Sequence, residues 1–415
     1  MRRKLLPHPD TVPPVPRFSR QPTADGHTRA STLELFYDLV FVFAITQISH
    51  FLLSVEPEHL NWTGAGQAAV ILAAVWWSWN YTTWATNELD TSAPVVRGLV
   101  VAIMLGSLLM SIAIPEAWGE RALLFAGAYV AIQVGRAAFL TFVSGTKGSN
   151  ERNRAGHILA WFCFSGVFWL AGGLVDGGPA RTILWLAALL IDYSAPLFVY
   201  RVPGMERIGA SSWDVASEHF AERFQLFVII ALGESIVITG ATTSELDLTN
   251  ERVAAFIVAF IGSAALWWLY FNRAADRMAG HLEDALNRTE LARDIYTYLH
   301  VLVIAGIIVV AVGDELVIAH PSESLETNEL MALVAGPVIY LLALSATRYR
   351  AIGSISPKRT AAAVACVLIG FAFSGSPALL VSALLVAVLV ALIIAEEMGP
   401  PLQPVGSEAE PADDS

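Results

Sequence analysis

Residues 95–114 read VVRGLVVAIMLGSLLMSIAI, a run of twenty residues that contains a single charge, Arg97. A helix rises 1.5 Å per residue, so about 20 residues cross the ~30 Å hydrocarbon core of a bilayer. Similar runs recur along the chain, and the charged residues, 15% of the total, fall mainly between them. Soluble domains average about 25% charged residues. The sequence therefore predicts an all-α, polytopic transmembrane helical bundle whose main partner is the lipid bilayer.

The apolar runs predict about twelve membrane spans. They cover approximately residues 33–53, 63–85, 95–114, 121–143, 155–175, 181–200, 220–240, 251–271, 295–318, 329–347, 360–374 and 376–395. Cytoplasmic loops carry an excess of Lys and Arg. With the N-terminus in the cytoplasm, 22 of the 25 Lys and Arg residues lie at the inner side, and only Arg121, Arg181 and Arg252 lie outside. This distribution predicts a multi-pass protein with both termini cytoplasmic.

The chain divides into two six-helix halves between two tails. We predict a disordered, basic and Pro-rich cytoplasmic tail over 1–30, a first membrane repeat over 31–200, a second over 201–398, and a disordered acidic tail over 399–415. The pair Trp76-Trp77 in span two matches Trp267-Trp268 in span eight. Six spans per half is an even number, so the two repeats are expected to lie parallel to each other.

Glu234 lies near the middle of span seven, followed by Ser235. A charge at the bilayer centre costs on the order of 3 kcal/mol or more, so such residues normally face a cavity or a partner. At 100° per residue, His219 and Arg223 share one helix face with Glu234. Glu234 is therefore a candidate for binding an ion or a substrate, or for coupling. A structural hydrogen bond to a neighbouring helix is the alternative.

Span one carries a second set of polar residues near its start. Asp38 and Thr46 join Glu234 and Ser235 as candidates for ion, substrate or coupling sites. Acids near a helix N-terminus are also favoured by the helix dipole. We expect a cytoplasmic polar network formed by the side chains of Glu34, His219, Glu222 and Arg223, with Asp38 beside it.

Two other features suggest structural roles. Asp192, in the middle of span six, and Arg136, in the inner third of span four, would relieve each other's burial cost as an ion pair. The Trp-rich segment around Trp76, Trp77 and Trp79 is typical of an aromatic belt at the membrane interface, with a ligand pocket as the alternative.

The motifs of hydrolases and nucleotide-binding proteins are missing from the sequence. It contains no Gly-x-Ser-x-Gly, His-Glu-x-x-His, Walker A or dinucleotide-binding motif. No basic stripe is left once the membrane topology is taken into account, so a nucleic-acid partner is not expected. We expect no enzymatic activity, no cofactor and no metal site.

Three segments resemble the bacterial low temperature requirement protein A family. They are ELFYDLVFVFA at 34–44, EHFAERF at 218–224 and LGES at 232–235. The resemblance covers about residues 30–395, and it implies a place in the bacterial cytoplasmic membrane.

The first span is also similar to the first helix of the endolysosomal potassium channel family. The shared segment is FYDLVF at 36–41, but Tyr37 stands where that family has Ser. In the second half, Gln225 and Leu226 stand where a second Ser-Asp pair would be expected. These departures argue against a symmetric potassium pore and leave room for an asymmetric path between spans one and seven.

The leading functional hypothesis is a transporter or channel-like permease for an ion or small solute, with its path between helices 1 and 7. One alternative is a membrane sensor or scaffold in which the buried charges only stabilise helix packing. Another is an intramembrane enzyme that acts on lipid. The sequence leaves homo-oligomerisation open.

Overall fold

The computed structural model describes residues 18, 30–54, 62–206, 217–272 and 288–398. Within these ranges the chain forms twelve helices of 16 residues or more and no β-strand. They are α1 (Thr32–Ser54), α2 (Trp62–Glu88), α3 (Pro94–Ala113), α4 (Ala122–Phe139), α5 (Asn150–Leu174), α6 (Gly178–Ser194), α7 (Ser217–Glu245), α8 (Asn250–Phe271), α9 (His300–Ala319), α10 (Thr327–Ile352), α11 (Pro357–Ala372) and α12 (Ala378–Glu397). The predicted tails lie almost entirely outside the described residues.

The all-α fold is thereby confirmed, and the helices follow the order of the predicted spans. In the described parts of the chain, nine helices are long and apolar enough to cross a membrane. The other three are α2, α6 and α11. At 1.5 Å per residue, the 17 residues of α6 and the 16 residues of α11 extend about 26 and 24 Å. The twelve-span topology therefore remains a prediction, although the last two predicted spans are separate helices.

The polar and aromatic composition of α2 has a structural explanation. Seventeen of its 27 residues are buried, because α1, α4, α6, α7 and α9 all pack against it. A helix surrounded by protein does not need an apolar surface toward lipid, and its polar groups can bond to the neighbouring helices. Helix α2 is therefore the shared core of the bundle. The indole rings of Trp76, Trp77 and Trp79 are at most 1% exposed, so the predicted interfacial belt is wrong for these three residues.

The same neighbours recur in the two halves. Helix α1 packs on α2 and α3, and α7 packs on α8 and α9. Helices α3 to α6 contact one another in sequence, and α9 to α12 do the same. The predicted parallel repeat is compatible with this order of contacts and stays a prediction.

Glycines allow the close packing of α9 against α10. A Cβ atom added to Gly306 would lie 2.8 Å from the backbone nitrogen of Tyr340, and one added to Gly336 would lie 2.7 Å from that of Val310. Small residues at such contacts let two membrane helices approach closely. This tight pair fixes α9, which in turn packs against α7 and α1.

Just before α9, the helical segment Arg288–Ala292 is followed by a π-helical segment, Arg293–Leu299. Within it, Thr297 joins the two halves: its carbonyl oxygen accepts a hydrogen bond from Trp76 Nε1 at 2.8 Å. The Thr297 hydroxyl accepts from Trp84 Nε1 at 3.0 Å. These bonds connect α2, in the first half, to the start of α9, in the second.

Candidate functional site

The first helices of the two halves, α1 and α7, contact each other and carry two polar clusters at different depths. The inner cluster lies near the N-terminal ends of both helices, which are predicted to face the cytoplasm. The outer cluster lies about three turns further along. Aromatic side chains lie between the two.

Arg223 is the centre of the inner cluster. Its Nε and Nη2 atoms donate to the two carboxylate oxygens of Asp38 at 2.9 and 2.6 Å. Its Nη1 atom lies 3.2 Å from Glu34 Oε1 and donates to the Thr86 hydroxyl at 3.3 Å. Bidentate pairs between arginine and carboxylate are strong and directional. Arg223 therefore joins α7 to α1 and α2 through a buried, compensated charge.

His219 extends this cluster by one helical turn. Its Nε2 atom lies 3.2 Å from Glu34 Oε2, and its Nδ1 atom lies 3.2 Å from Asn87 Oδ1. Trp79 Nε1 donates to Asp38 at 2.7 Å. Both acids, the histidine and the arginine are at most 1% exposed. The four groups thus form an enclosed network between α1, α2 and α7.

Glu222 stands apart from this network. Its Oε2 atom accepts a hydrogen bond from the backbone N–H of Ala30 at 2.9 Å, just before α1 begins. It contributes a further link between the start of α1 and α7. The structure thus brings three of the four expected network residues together with Asp38, and places Glu222 beside them.

Aromatic rings close the space beyond the inner cluster. The rings of Phe41 and Phe227 lie 6.2 Å apart, across the α1–α7 contact. The ring of Trp79 lies 4.2 Å from that of Phe227 and 4.9 Å from that of Phe224. Tyr37 packs edge-on against Phe41 at 5.2 Å. In this conformation the layer separates the two polar clusters.

The outer cluster is built around Glu234. This residue is 3% exposed, and its Oε1 atom accepts a hydrogen bond from the hydroxyl of Thr46 on α1. His50, one turn beyond Thr46, is close enough to interact electrostatically with Glu234. The next residue, Ser235, lies 3.4 Å from Ser263 of α8, hydroxyl to hydroxyl. Two predicted candidates, Glu234 and Thr46, are therefore direct partners, although 188 residues separate them.

Sequence reasoning missed two acids of α9 in the outer part of the bundle. Asp314 is 4% exposed, and its buried Oδ2 atom has no hydrogen-bond partner in the part of the chain that the structure describes. Glu315 is half-buried, interacts with the Thr242 hydroxyl of α7 and, like Glu234, lies close enough to His50 for an electrostatic interaction. The available signal was two adjacent acids at the end of an otherwise apolar span. With Glu315, the outer cluster involves α1, α7 and α9.

The expected direct pair between Asp192 and Arg136 is not formed, although both residues lie in the described structure. Asp192 Oδ2 accepts from the Tyr129 hydroxyl at 2.7 Å and from Trp169 Nε1 at 3.0 Å. Arg136 donates to Thr82 and to the Gln133 side chain. Neutral donors thus bond to one carboxylate oxygen of Asp192, in the place where the arginine was expected, while Oδ1 has no partner among the described residues.

The described residues contain no group of three or more His, Cys, Asp or Glu side chains arranged to hold a metal ion. The outer cluster instead offers carboxylates with hydroxyl groups. These groups can bind and release a proton, or contribute oxygen atoms to a monovalent cation.

Together, the helices and the buried charges define a multi-pass membrane protein with a polar contact between its two halves. Residues 29–394 match the family described as bacterial low temperature requirement A protein (LtrA), and the chain belongs to this family. It is 36% identical over 314 residues to an uncharacterized protein of Rhizobium meliloti, and the match covers 76% of each chain. No solved structure matches the chain.

Proposed function

We propose that this protein is a permease of the bacterial cytoplasmic membrane that moves protons or a monovalent cation along the contact between α1 and α7. The observation that carries the proposal is the bond between Glu234 and Thr46. It places a buried carboxylate at the contact between the first helices of the two halves. Acids in this position are costly in a membrane and typically mark ion or proton pathways.

The charges around Glu234 support a binding role. No arginine or lysine in the described structure forms an ion pair with Glu234, and the imidazole that interacts with it electrostatically, His50, is exposed. A carboxylate without a permanent counter-ion can exchange a proton or bind a cation. Glu315 provides a second, less buried acid on the same side. We infer that these two acids take up the ion from the outer side.

The inner cluster has the properties of a closed gate. Arg223 links α7 to Asp38 and Glu34 of α1, and the rings of Phe41 and Phe227 lie above it. Opening this side would require these bonds to break or to exchange partners. Because the inner groups are buried and the outer cluster includes the exposed His50, the conformation is that of a path closed toward the cytoplasm.

Flux measurements test this proposal directly. Full-length protein is reconstituted in liposomes that contain a pH-sensitive dye, and a potassium or sodium gradient supplies the driving force. We expect wild-type protein to carry protons or the cation, and Glu234→Gln to reduce the rate at least tenfold, because the amide cannot exchange a proton. The matched control is Glu251→Gln, an exposed acid in the first turn of α8. Absence of flux for protons, sodium and potassium would refute the proposal, as would equal rates for the two variants.

A static role as a sensor or scaffold is the second candidate. It is favoured by the inner cluster, in which both oxygens of Asp38 are bonded to Arg223 and the acids are satisfied. For a scaffold, Glu234→Leu should leave the free energy of unfolding unchanged or raise it, since apolar replacement of a buried polar group is often tolerated. Folded protein without flux would support this role.

A further inference from the structure

Arg136 is a buried positive charge that has no carboxylate partner among the residues that the structure describes. It is 2% exposed, and in the described structure its hydrogen-bond acceptors are all neutral. They are the Thr82 hydroxyl at 3.0 Å, the Ser78 carbonyl oxygen at 3.5 Å and the Gln133 side-chain oxygen. Arginine keeps its proton in proteins. The guanidinium therefore needs a source of negative charge that its contacts do not provide.

Two residues whose oxygen atoms contact Arg136 also carry donors without a hydrogen-bond partner in the described structure. The Gln133 Nε2 atom interacts with the Tyr129 hydroxyl but forms no geometrically regular hydrogen bond with any described residue, and the Ser78 hydroxyl has no partner among them. Both belong to residues whose oxygen atoms accept from Arg136. Buried polar groups in native proteins are nearly always bonded. Unpaired donors on residues that contact an uncompensated cation are expected where an anion binds.

Aromatic rings flank the guanidinium. The rings of Tyr81 and Phe162 have their centroids 5.4 and 5.8 Å from Arg136 Cζ. Cation–π contacts of this kind lower the cost of burying the charge but do not neutralise it. The single guanidinium and the enclosed surroundings favour a small anion with one charge. A neutral water molecule would satisfy the donors and leave the charge uncompensated.

We propose that Arg136, Gln133 and Ser78 bind a small monovalent anion, of the class of chloride or a short carboxylate, between α2, α4 and α5. The site lies within the first half of the chain and does not depend on the path between α1 and α7. Bound anion would neutralise Arg136 and hold the three helices together. The protein would then be more stable when the anion is present.

Exchange of potassium gluconate for potassium chloride or potassium formate tests the site at constant ionic strength. Gluconate is too large for an enclosed site of this kind. With purified full-length protein, we expect a saturable rise in unfolding temperature and saturable broadening of the chlorine NMR line. Arg136→Gln should abolish both responses. Ser78→Ala should weaken binding roughly tenfold, because it removes one donor to a charged group.

The matched control is Ser107→Ala on α3, which also removes a buried hydroxyl that has no partner among the described residues. It should bind the anion as wild type does. If Arg136→Gln does not fold, anion binding by Ser78→Ala and by Gln133→Leu is compared with binding by Ser107→Ala. The first two variants should bind the anion more weakly than the third. A response that does not saturate, or equal binding by the Ser78 and Ser107 variants, would overturn the proposal. A high-resolution map with only water beside Arg136 in chloride would do the same.

Discussion

Arg223 and Arg136, two of the five arginines that are buried in the described structure, are compensated in different ways. Arg223 forms a bidentate pair with Asp38 and contacts Glu34, and these bonds connect the two halves. Among the described residues, Arg136 contacts neutral oxygens and aromatic rings of the first half and no carboxylate. Both positions are at most 2% exposed. The comparison shows that equal burial does not imply an equal role, because the counter-charge decides what the arginine stabilises.

Replacing Arg223 should have the largest effect on stability. Arg223→Met leaves Asp38 and Glu34 buried without their main cation, and removal of one partner of a buried pair typically costs about 3–5 kcal/mol. The free energy of unfolding, measured by titration with a denaturing detergent, should fall by that amount. Arg121→Met is the control, since its pair with Glu116 is exposed and contributes less than about 1 kcal/mol. If the free energy of unfolding fell as little as in the control, the ion pairs of Arg223 would not be a main source of stability.

Asp38→Asn should lower the free energy of unfolding by an intermediate amount. The asparagine side chain can still accept the hydrogen bond from Trp79, and Arg223 keeps Glu34, so the loss is expected to be about 2 kcal/mol. The double variant Asp38→Asn/Arg223→Met should be clearly less destabilised than the sum of the single variants. Simple additivity would mean that the two side chains do not act as one unit.

Among these variants, Arg136→Met should change the free energy of unfolding least. It tests the difference between Arg136 and Arg223 directly. In gluconate buffer without small anions, it removes a charge that has no carboxylate partner. The free energy of unfolding should change by no more than about 1 kcal/mol, or rise, because apolar replacement of buried charges is often neutral or stabilising. A loss comparable to that of Arg223→Met would show that the neutral contacts of Arg136 are sufficient to stabilise its charge.

Helix spacing explains which contacts could be predicted. Glu34 and Asp38 are four residues apart on α1, and His219 and Arg223 are four apart on α7. Residues with this spacing share a face of a helix. Once α1 and α7 are neighbours, the two acids and the two basic residues meet, as the structure shows. The contact between Glu234 and Thr46 follows from the same packing at a greater depth.

The wrong and missed assignments have a different origin. Asp192 and Arg136 were paired by their sign and approximate depth, but the donors Tyr129 and Trp169 are closer to Asp192. Hydropathy also could not distinguish an interfacial Trp-rich helix from a buried one. The indoles of α2 became core residues because five helices surround it. Asp314 and Glu315 were overlooked because they lie at the end of a very apolar span. The hydropathy of that span does not indicate which helices its end packs against.

The sequence alone determined that the chain is a bundle of membrane helices, where these helices lie along the chain, and which family they belong to. These properties depend on local sums of side-chain transfer free energy and on short motifs, both of which are readable residue by residue. Only the tertiary structure decided that Arg223 is compensated by carboxylates, that Arg136 meets no carboxylate among the described residues, and that α2 is the shared core. Pairing depends on helix rotation and on the choice of neighbours, which are set by packing between residues far apart in the chain.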